Sequence, residues 1–501
     1  MYSALSSAVG LVVAFGVAVA WPQAEASPAQ AQLGIVIGGV NVVDVREGSI
    51  VANQTVLIRG NRIESVEPSA KSEIPEGYLY VDGEGRFLMP ALWDMHAHIT
   101  AVTPLLDLPM YVAYGVTNVR DMLGCPREGD PFIACPDEKK AWSSDAEEGK
   151  RVGPRIFEAA SFMANGPGMV DRLGNVPSFF DTANEQQARE FVEHFSTDSD
   201  SIKVYDNIPR EAYFALAEAA RELGLPLVGH KPRAISATEA ARHQRSIEHA
   251  RFLLHESFAG SEDLRSLAGT KEWREDRRAM VDQHDPVLLR QILEAMKENG
   301  TYYVPTHLTR WADAYADQSA VREDPVLEYL HPLMRMQWRE DIDAVVSSDP
   351  SPDARRAYRD FYLKGLELTR QAHEAGVKVM VGSDYIGAGI DVHREMQQLV
   401  KAGMSPRDAL VAATILPAEY AGVDADYGDV AAGKVADLIL VDENPLLDIG
   451  NTTKINAVVF NGSLYDRATL DSLHETVRNR AKSWSVGAKI IWRFIRSPAN
   501  Y

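Results

Sequence analysis

The chain is 501 residues long with 46% hydrophobic and 24% charged residues, a composition that builds a sizeable core and excludes an intrinsically disordered protein. Its 71 acidic residues outnumber 51 Lys and Arg, for a formal charge of -20, which disfavours nucleic acid or an anionic membrane as the partner of the whole body. Local basic patches stay open, and the length points to more than one domain.

From the N-terminus, Val9 to Ala20 is a run of small apolar side chains, no charge precedes Glu25, and Ala24-Glu25-Ala26 and Ala29-Gln30-Ala31 both have small-x-small form. The pattern predicts a secretory signal peptide over residues 1–31 and an exported protein, periplasmic or secreted. No Lys or Arg precedes the run, so an uncleaved anchor is the alternative, although the run is short for a spanning helix. The absence of Cys near the cleavage region argues against a lipid anchor. Cys125 and Cys135 are the only cysteines; an oxidising compartment permits a bridge between them, and two free thiols are the other reading.

Gly34–Val43, Ser49–Ile58 and Tyr78–Val81 are β-rich runs broken by turn residues, and the signature returns in Gly428–Asp442 and Ala457–Phe460. One small β-sandwich built from both chain ends, residues 32–87 and 419–468, is the economical prediction. Between them, over residues 88–418, lie eight apolar strand-like segments, near 88–98, 116–121, 154–160, 201–205, 226–230, 246–249, 302–306 and 378–384. Helical patterns over Glu185–Phe195, Pro209–Leu223, Pro286–Asn299 and Arg355–Ala375 separate most of them. Alternating strand and helix predicts the α/β class and a TIM-like (β/α)8 barrel, in which the C-terminal ends of the strands face the active-site mouth.

Residues 255–285 and 308–354 exceed ordinary connections and read as substrate lids, or else as helical packing or a homo-oligomer contact. In the tail, Val477, Ala481, Trp484, Ala488, Ile491 and Ile495 recur at helical spacing among six basic residues from Arg478 to Arg496. This predicts one basic amphipathic helix over 469–501, packed on the barrel or β-domain, or else touching an anionic membrane surface.

His96 and His98 occupy alternate positions of a strand-like segment, so both imidazoles project to one face and can grip a metal ion. Lys203 sits in Ser201-Ile-Lys-Val-Tyr205, and His230, His249 and Asp384 each end an apolar run. In a barrel these side chains converge. Two metal ions close together need a bridging anion, and Lys203 supplies one after its amine reacts with carbon dioxide to form a carbamate. His96, His98 and Asp384 would then hold one metal and His230 with His249 the other, with a bridging hydroxide between them. The metals acidify that water and polarise a carbonyl, and Asp384 is placed to orient it and pass its proton to a leaving group. Mixed nitrogen and oxygen ligands suit several divalent metals, and zinc is the favoured one. Tyr205, beside the Lys203 strand, and His307, ending Tyr303-Val-Pro-Thr-His307, are expected to touch a small-molecule substrate. His194 and His373, on predicted helices, are assigned to structure or solvent.

Pro90-Ala-Leu-Trp-Asp-Met-His-Ala-His98, Gly115–Asp121, Ile202-Lys-Val204, Gly229-His230, Ile247-Glu-His249, Gly382-Ser-Asp384 and Gly433–Leu438 together resemble the amidohydrolase superfamily, in particular its exported dipeptidase-like and imidazolonepropionase-like branch. The resemblance covers roughly residues 33–465. It implies a metal-bearing barrel beside a composite β-sandwich, a carboxylated Lys203 and hydrolysis of an amide or related bond. One departure narrows this. Deaminases and imidazolonepropionases of the superfamily generally carry a proton-shuttling Glu three residues after the fifth-strand His, where this chain has Arg233. Arg233 suits a substrate carboxylate or an ion pair with a lid acid instead. The expected activity is hydrolysis of an amide in a dipeptide or N-acyl amino acid. An esterase, lactonase or phosphotriester hydrolase on the same dinuclear core is the runner-up. A non-catalytic solute-binding barrel is the reading from another class, and the full set of ligand positions weighs against it.

Overall fold

The computed structural model describes residues 34–496, apart from 127, 128 and 175. The signal-peptide reading over 1–31 therefore lies outside the described residues.

Both chain ends contribute to one sheet. Its N-terminal strands are β1 (Ile35–Asp44), β2 (Ser49–Arg59), β3 (Arg62–Pro68), β4 (Leu79–Asp82) and β5 (Phe87–Pro90). Val and Ile at alternate positions give these strands an apolar face, and β1 and β2 pair antiparallel with Ile35 opposite Ile58 and Asp44 opposite Ser49. The C-terminal strands are β13 (Leu438–Val441), β14 (Ile455–Phe460) and β15 (Ser463–Tyr465). The order is β15-β14-β13-β5-β1-β2-β3, with β4 also on β1. The outer edge of β3 meets the segment leading into β13, Ile63 N donating to Lys434 O at 2.9 Å, so the sheet curls around an apolar interior.

The expected first barrel segment, 88–98, is in fact two elements. Phe87–Pro90 belongs to the composite sheet, pairing with β13 and β1, and the barrel begins only with β6 (Leu92–Ala97). Leu88 to Trp93 is an unbroken apolar run that gives no sign of the change, and the sheet's last bond, Ala91 N donating to Asp437 O at 2.9 Å, is followed at once by the barrel's first, Leu92 N donating to Gly115 O at 2.9 Å.

The barrel continues through β7 (Val116–Asp121), β8 (Arg155–Ala164), β9 (Ser201–Val204), β10 (Leu227–Gly229), β11 (Gln244–Glu248) and β12 (Tyr302–Val304), all parallel and in sequence order. Residues 378–384 fill the eighth position as an extended segment. Met380 N donates to Tyr303 O on β12 at 2.8 Å, while Met95 N donates to Val381 O and Asp384 N to His96 O, both at 2.9 Å, on the β6 side. The ring is thereby closed. Crossover helices shield it, as the helix Glu185–Phe195 shows: the Asn184 side chain caps it by accepting from Gln187 N, and Ala188, Phe191, Val192 and Phe195 bury one stripe at i, i+3, i+4, i+7. Truncating Phe191 there would cost about 3–5 kcal/mol.

The tail also differs from expectation. It forms two helices, Arg467–Ala481 and Trp484–Arg496, not one. The chain turns at Lys482-Ser483, where Ser483 N donates to Arg480 O, and the turn rotates the stripe: Val477 and Ala481 are buried, but Trp484, Ile491 and Ile495 face outward while Val486 and Ile490 face in. Cys125 and Cys135 are disulfide-bonded across the loop that leaves β7. Among the described residues, no helix is long and apolar enough to cross a membrane.

Candidate metal centre and active site

Strand alternation places Asp94, His96 and His98 on the same face of β6 and its continuation, toward the barrel axis. The other ends of the constellation depend on backbone that few side chains tolerate. His249, Thr306 and Asp384, each just past a barrel segment, have φ of 70°, 45° and 43°. Such left-handed residues cost on the order of 1–3 kcal/mol each and cluster where a side chain is re-aimed for function. Gly382 is required by close approach: a Cβ there would collide with Val304 and His96.

At the centre, His96 Nε2 and His98 Nε2 each lie 3.7 Å from Asp384 Oδ1, and the Nε2 atoms of His230 and His249 face each other at 3.0 Å. The far nitrogens are held from outside. His96 Nδ1 is 3.0 Å from Glu248 Oε2, His230 Nδ1 is 2.7 Å from Asp206 Oδ1, and His249 Nδ1 is 2.8 Å from Thr306 Oγ1. Holding one nitrogen fixes the ring and directs the other inward, the usual arrangement behind metal-binding histidines.

Charge completes the picture. Burial alone would raise the Glu248 carboxyl, but the Arg120 guanidinium at 2.8 Å, with His96 and Ser246, outweighs it and holds the group down at about 2. Burial keeps the His230 imidazole neutral, down to about 4 against the opposing pull of Asp206, and drives His249 well below its ordinary value. Lys203 is buried between β8 and β10; burial lowers its ammonium against Asp384 and Asp121, and its Nζ donates to Met122 O. Asp94 ties the two ends of the ring together, accepting from His96 N at 3.1 Å and from Ser383 N at 2.9 Å, which positions the neighbouring Asp384.

The donor set suits a divalent transition metal. Ligand atoms of His96, His249 and Asp384 lie within 4.8 Å of one another, and buried imidazoles beside a carboxylate are the donors such ions take. His98, His230 and Lys203 adjoin that group. The Tyr205 ring packs at a tilt against His230 with centroids 4.0 Å apart. Arg233 stands at the mouth, its guanidinium 3.7 Å above the Trp273 ring and donating to Asn207 Oδ1 at 3.0 Å. His307 lies elsewhere: it is fully buried, with Nε2 3.0 Å from Thr369 Oγ1 on an outer helix, so the expected substrate contact is not available to it. The left-handed turn at Thr306 explains why, since it presents Thr306 to His249 and sends the next residue outward.

Sequence reasoning missed the residues that orient these donors, Glu248, Asp206, Asp94 and Thr306, and also Arg251, whose Nη2 is 3.1 Å from both Asp206 Oδ2 and His230 Nδ1. Only Asp94 carried a legible signal, lying two residues before His96 on the same strand face.

Residues 87–465 match the Amidohydrolase family. A 114-residue stretch is 30% identical to adenine deaminase of Mesorhizobium japonicum, over 20% of this chain and 19% of that one. A 97-residue stretch is 26% identical to adenine deaminase of Paracoccus denitrificans, over 19% of this chain and 16% of that one. The chain thus spans less than a fifth of the length of either relative. Among solved structures, a bottromycin amidohydrolase superimposes with a TM-score of 0.65 at 21% identity, over 89% of this chain and 90% of that one. An Xaa-Pro dipeptidase with bound methionine gives 0.60 at 20% identity, over 86% and 99% of the two chains. A prolidase-type protein from Bifidobacterium longum gives 0.58 at 22%, over 88% and 98%. At these identities the structural likeness establishes the fold. The family match, in contrast, runs unbroken from β5 through the barrel to β15, taking in every metal-type donor and the β5, β13, β14 and β15 strands of the composite sheet, and it makes this chain a member of the amidohydrolase family.

Proposed function

We propose that the protein is a metal-dependent hydrolase that cleaves the carbon–nitrogen bond of an amide in a dipeptide or N-acyl amino acid. The convergence of the His96 and His98 Nε2 atoms on Asp384 and of the His230 and His249 Nε2 atoms on each other, with the His96, His230 and His249 rings each held through Nδ1, carries this reading. His96, His98 and Asp384 would hold one metal ion, His230 and His249 the other, and Lys203 would bridge them. Bound divalent metals, zinc first among them, acidify water and polarise a carbonyl.

The chain's own residues do the rest. Asp384 holds the attacking water by accepting its proton and returns that proton to the leaving nitrogen. Lys203, whose neutral amine burial favours, reacts with carbon dioxide to give a carbamate and release one proton. Arg233 and Tyr205, beside His230 at the mouth, are placed to hold a substrate carboxylate. The activities named for two structural neighbours, an amidohydrolase and an Xaa-Pro dipeptidase, agree with amide cleavage. The adenine deaminase similarity is confined to a short stretch, and Arg233 replaces the acid expected for deamination. The Cys125–Cys135 bridge supports export to an oxidising compartment.

The test is a hydrolysis screen of metal-loaded protein against dipeptides, N-acyl amino acids, adenine, lactones and phosphotriesters. Turnover of the first two classes, lost in Asp384→Asn, is expected. Turnover confined to adenine, lactones or phosphotriesters would overturn the substrate assignment.

A further inference from the structure

The helix Trp484–Arg496 has two faces of different character. Its inner face is docked: Val486, Gly487 and Ile490 are buried, Gly487 lying against the His331 ring, and Arg493 donates to Pro131 O at 2.9 Å. The outer face is bare. Trp484 is 84% exposed, Ile495 64%, Trp492 55% and Ile491 48%, a density of exposed large apolar side chains found on no other described helix. At 3.6 residues per turn, Trp484, Ile491 and Ile495 fall on one line with Trp492 beside it.

Charge singles out the occupant. No acidic residue follows Glu475, whereas six basic residues do, in a chain whose formal charge is -20. Lys489 and Arg496 are exposed along the flank of the apolar line. An apolar ridge with tryptophans, bordered by cations on a helix that carries no acidic residue, is the pattern of a helix lying in the interface of an anionic bilayer, where indole rings sit at headgroup level and cations meet lipid phosphates. Thirteen residues are too few to span one.

We infer that this outer face docks the protein on an anionic lipid surface, with Trp484, Trp492 and Ile495 inserted among headgroups and Lys489 and Arg496 on phosphates. The rigid inner contacts carry a geometric consequence. Pro131 and His331 belong to the loop leaving β7 and the insertion following β12, both on the mouth side of the barrel, so a bilayer held there lies alongside the substrate entrance.

Co-sedimentation of the purified full chain with phosphatidylcholine vesicles, with and without phosphatidylglycerol, tests this. Binding to the phosphatidylglycerol vesicles, a blue-shifted tryptophan emission and loss of binding at high salt are expected. The triple variant Trp484→Ser, Trp492→Ser, Ile495→Ser and the pair Lys489→Glu, Arg496→Glu should each weaken binding about tenfold or more, and the triple variant should do so without lowering the Tm, because its side chains are exposed. Three results would overturn the proposal. They are no vesicle binding by the wild-type chain, equal binding by the variants, which would place the contact elsewhere such as the N-terminal apolar run, and self-association that the triple variant abolishes without any vesicle binding, which would assign the face to a second copy of the chain.

Discussion

The composite sheet and the barrel rim bury opposite kinds of residue. The sheet interior is apolar throughout, with Ile37, Val56, Ile58, Leu438 and Leu440 packed together. The rim buries Lys203 and a linked series of polar groups, Arg120 on Glu248, Glu248 on His96, and the His96 backbone on Asp94. Fully burying one large aliphatic side chain contributes about 1.5–3 kcal/mol, whereas a buried ion pair roughly breaks even and leaves a costly orphan if one partner is removed. The sheet therefore supplies stability, and the rim keeps its charges for what they position. Substitutions of the inward-facing donors and of the sheet core should separate, activity without stability at the mouth and stability without activity in the sheet, with the buried charges behind the donors coupling the two.

The largest effect is expected at the mouth itself. His98→Asn or Asp384→Asn should lower kcat/KM by about 10³-fold or more with the circular dichroism spectrum and Tm close to wild type, because each removes a donor and no apolar packing. A melted protein would show instead that the rim carries stability. One step below the mouth, Glu248→Ala should affect both properties. It strands the buried Arg120, costing about 3–5 kcal/mol in denaturant unfolding, and frees the His96 ring, weakening metal affinity about 10- to 100-fold in a competition titration.

In the sheet, Leu438→Ala should cost about 2–5 kcal/mol while kcat per folded molecule is retained. Lost turnover at unchanged stability would break the comparison. The smallest effect sharpens it, because it concerns a histidine far from the mouth. His393 is buried with Nδ1 2.8 Å from Thr452 Oγ1 and Nε2 donating to Tyr114 O, and burial holds its imidazole down to about 4. An unfolded imidazole takes its proton near pH 6.5, so between 6.5 and 4 the unfolded chain binds more protons and stability falls as pH drops. Down to pH 5 this one group contributes a loss of about 2 kcal/mol. His393→Gln should remove that share of the pH dependence measured by chemical denaturation, and identical pH profiles for the two proteins would contradict it.

How much of this was legible follows the range of the interactions. Two-residue alternation exposed His96 and His98, and runs of apolar residues ending in His230, His249 and Asp384 marked strand ends, because both signals are local. Glu248, Asp206 and Thr306 acquire their roles only when the barrel closes and brings residues 96, 230 and 249 to them. The strand-end rule failed at His307 because a single left-handed residue, Thr306 at φ 45°, redirected the side chain that follows. Likewise the tail periodicity ran smoothly across Lys482-Ser483, since neither residue forbids a helix, and gave no sign of the turn that brings Trp484 to the surface.

The most direct test is metal analysis of the purified chain together with its activity. Elemental mass spectrometry should find two divalent transition-metal ions per wild-type chain and clearly fewer in Lys203→Ala and His230→Asn, and hydrolysis should vanish on chelation and return with metal, faster when bicarbonate is present. Undiminished hydrolysis by chelated, metal-free protein, or full metal content and activity in Lys203→Ala, would contradict it.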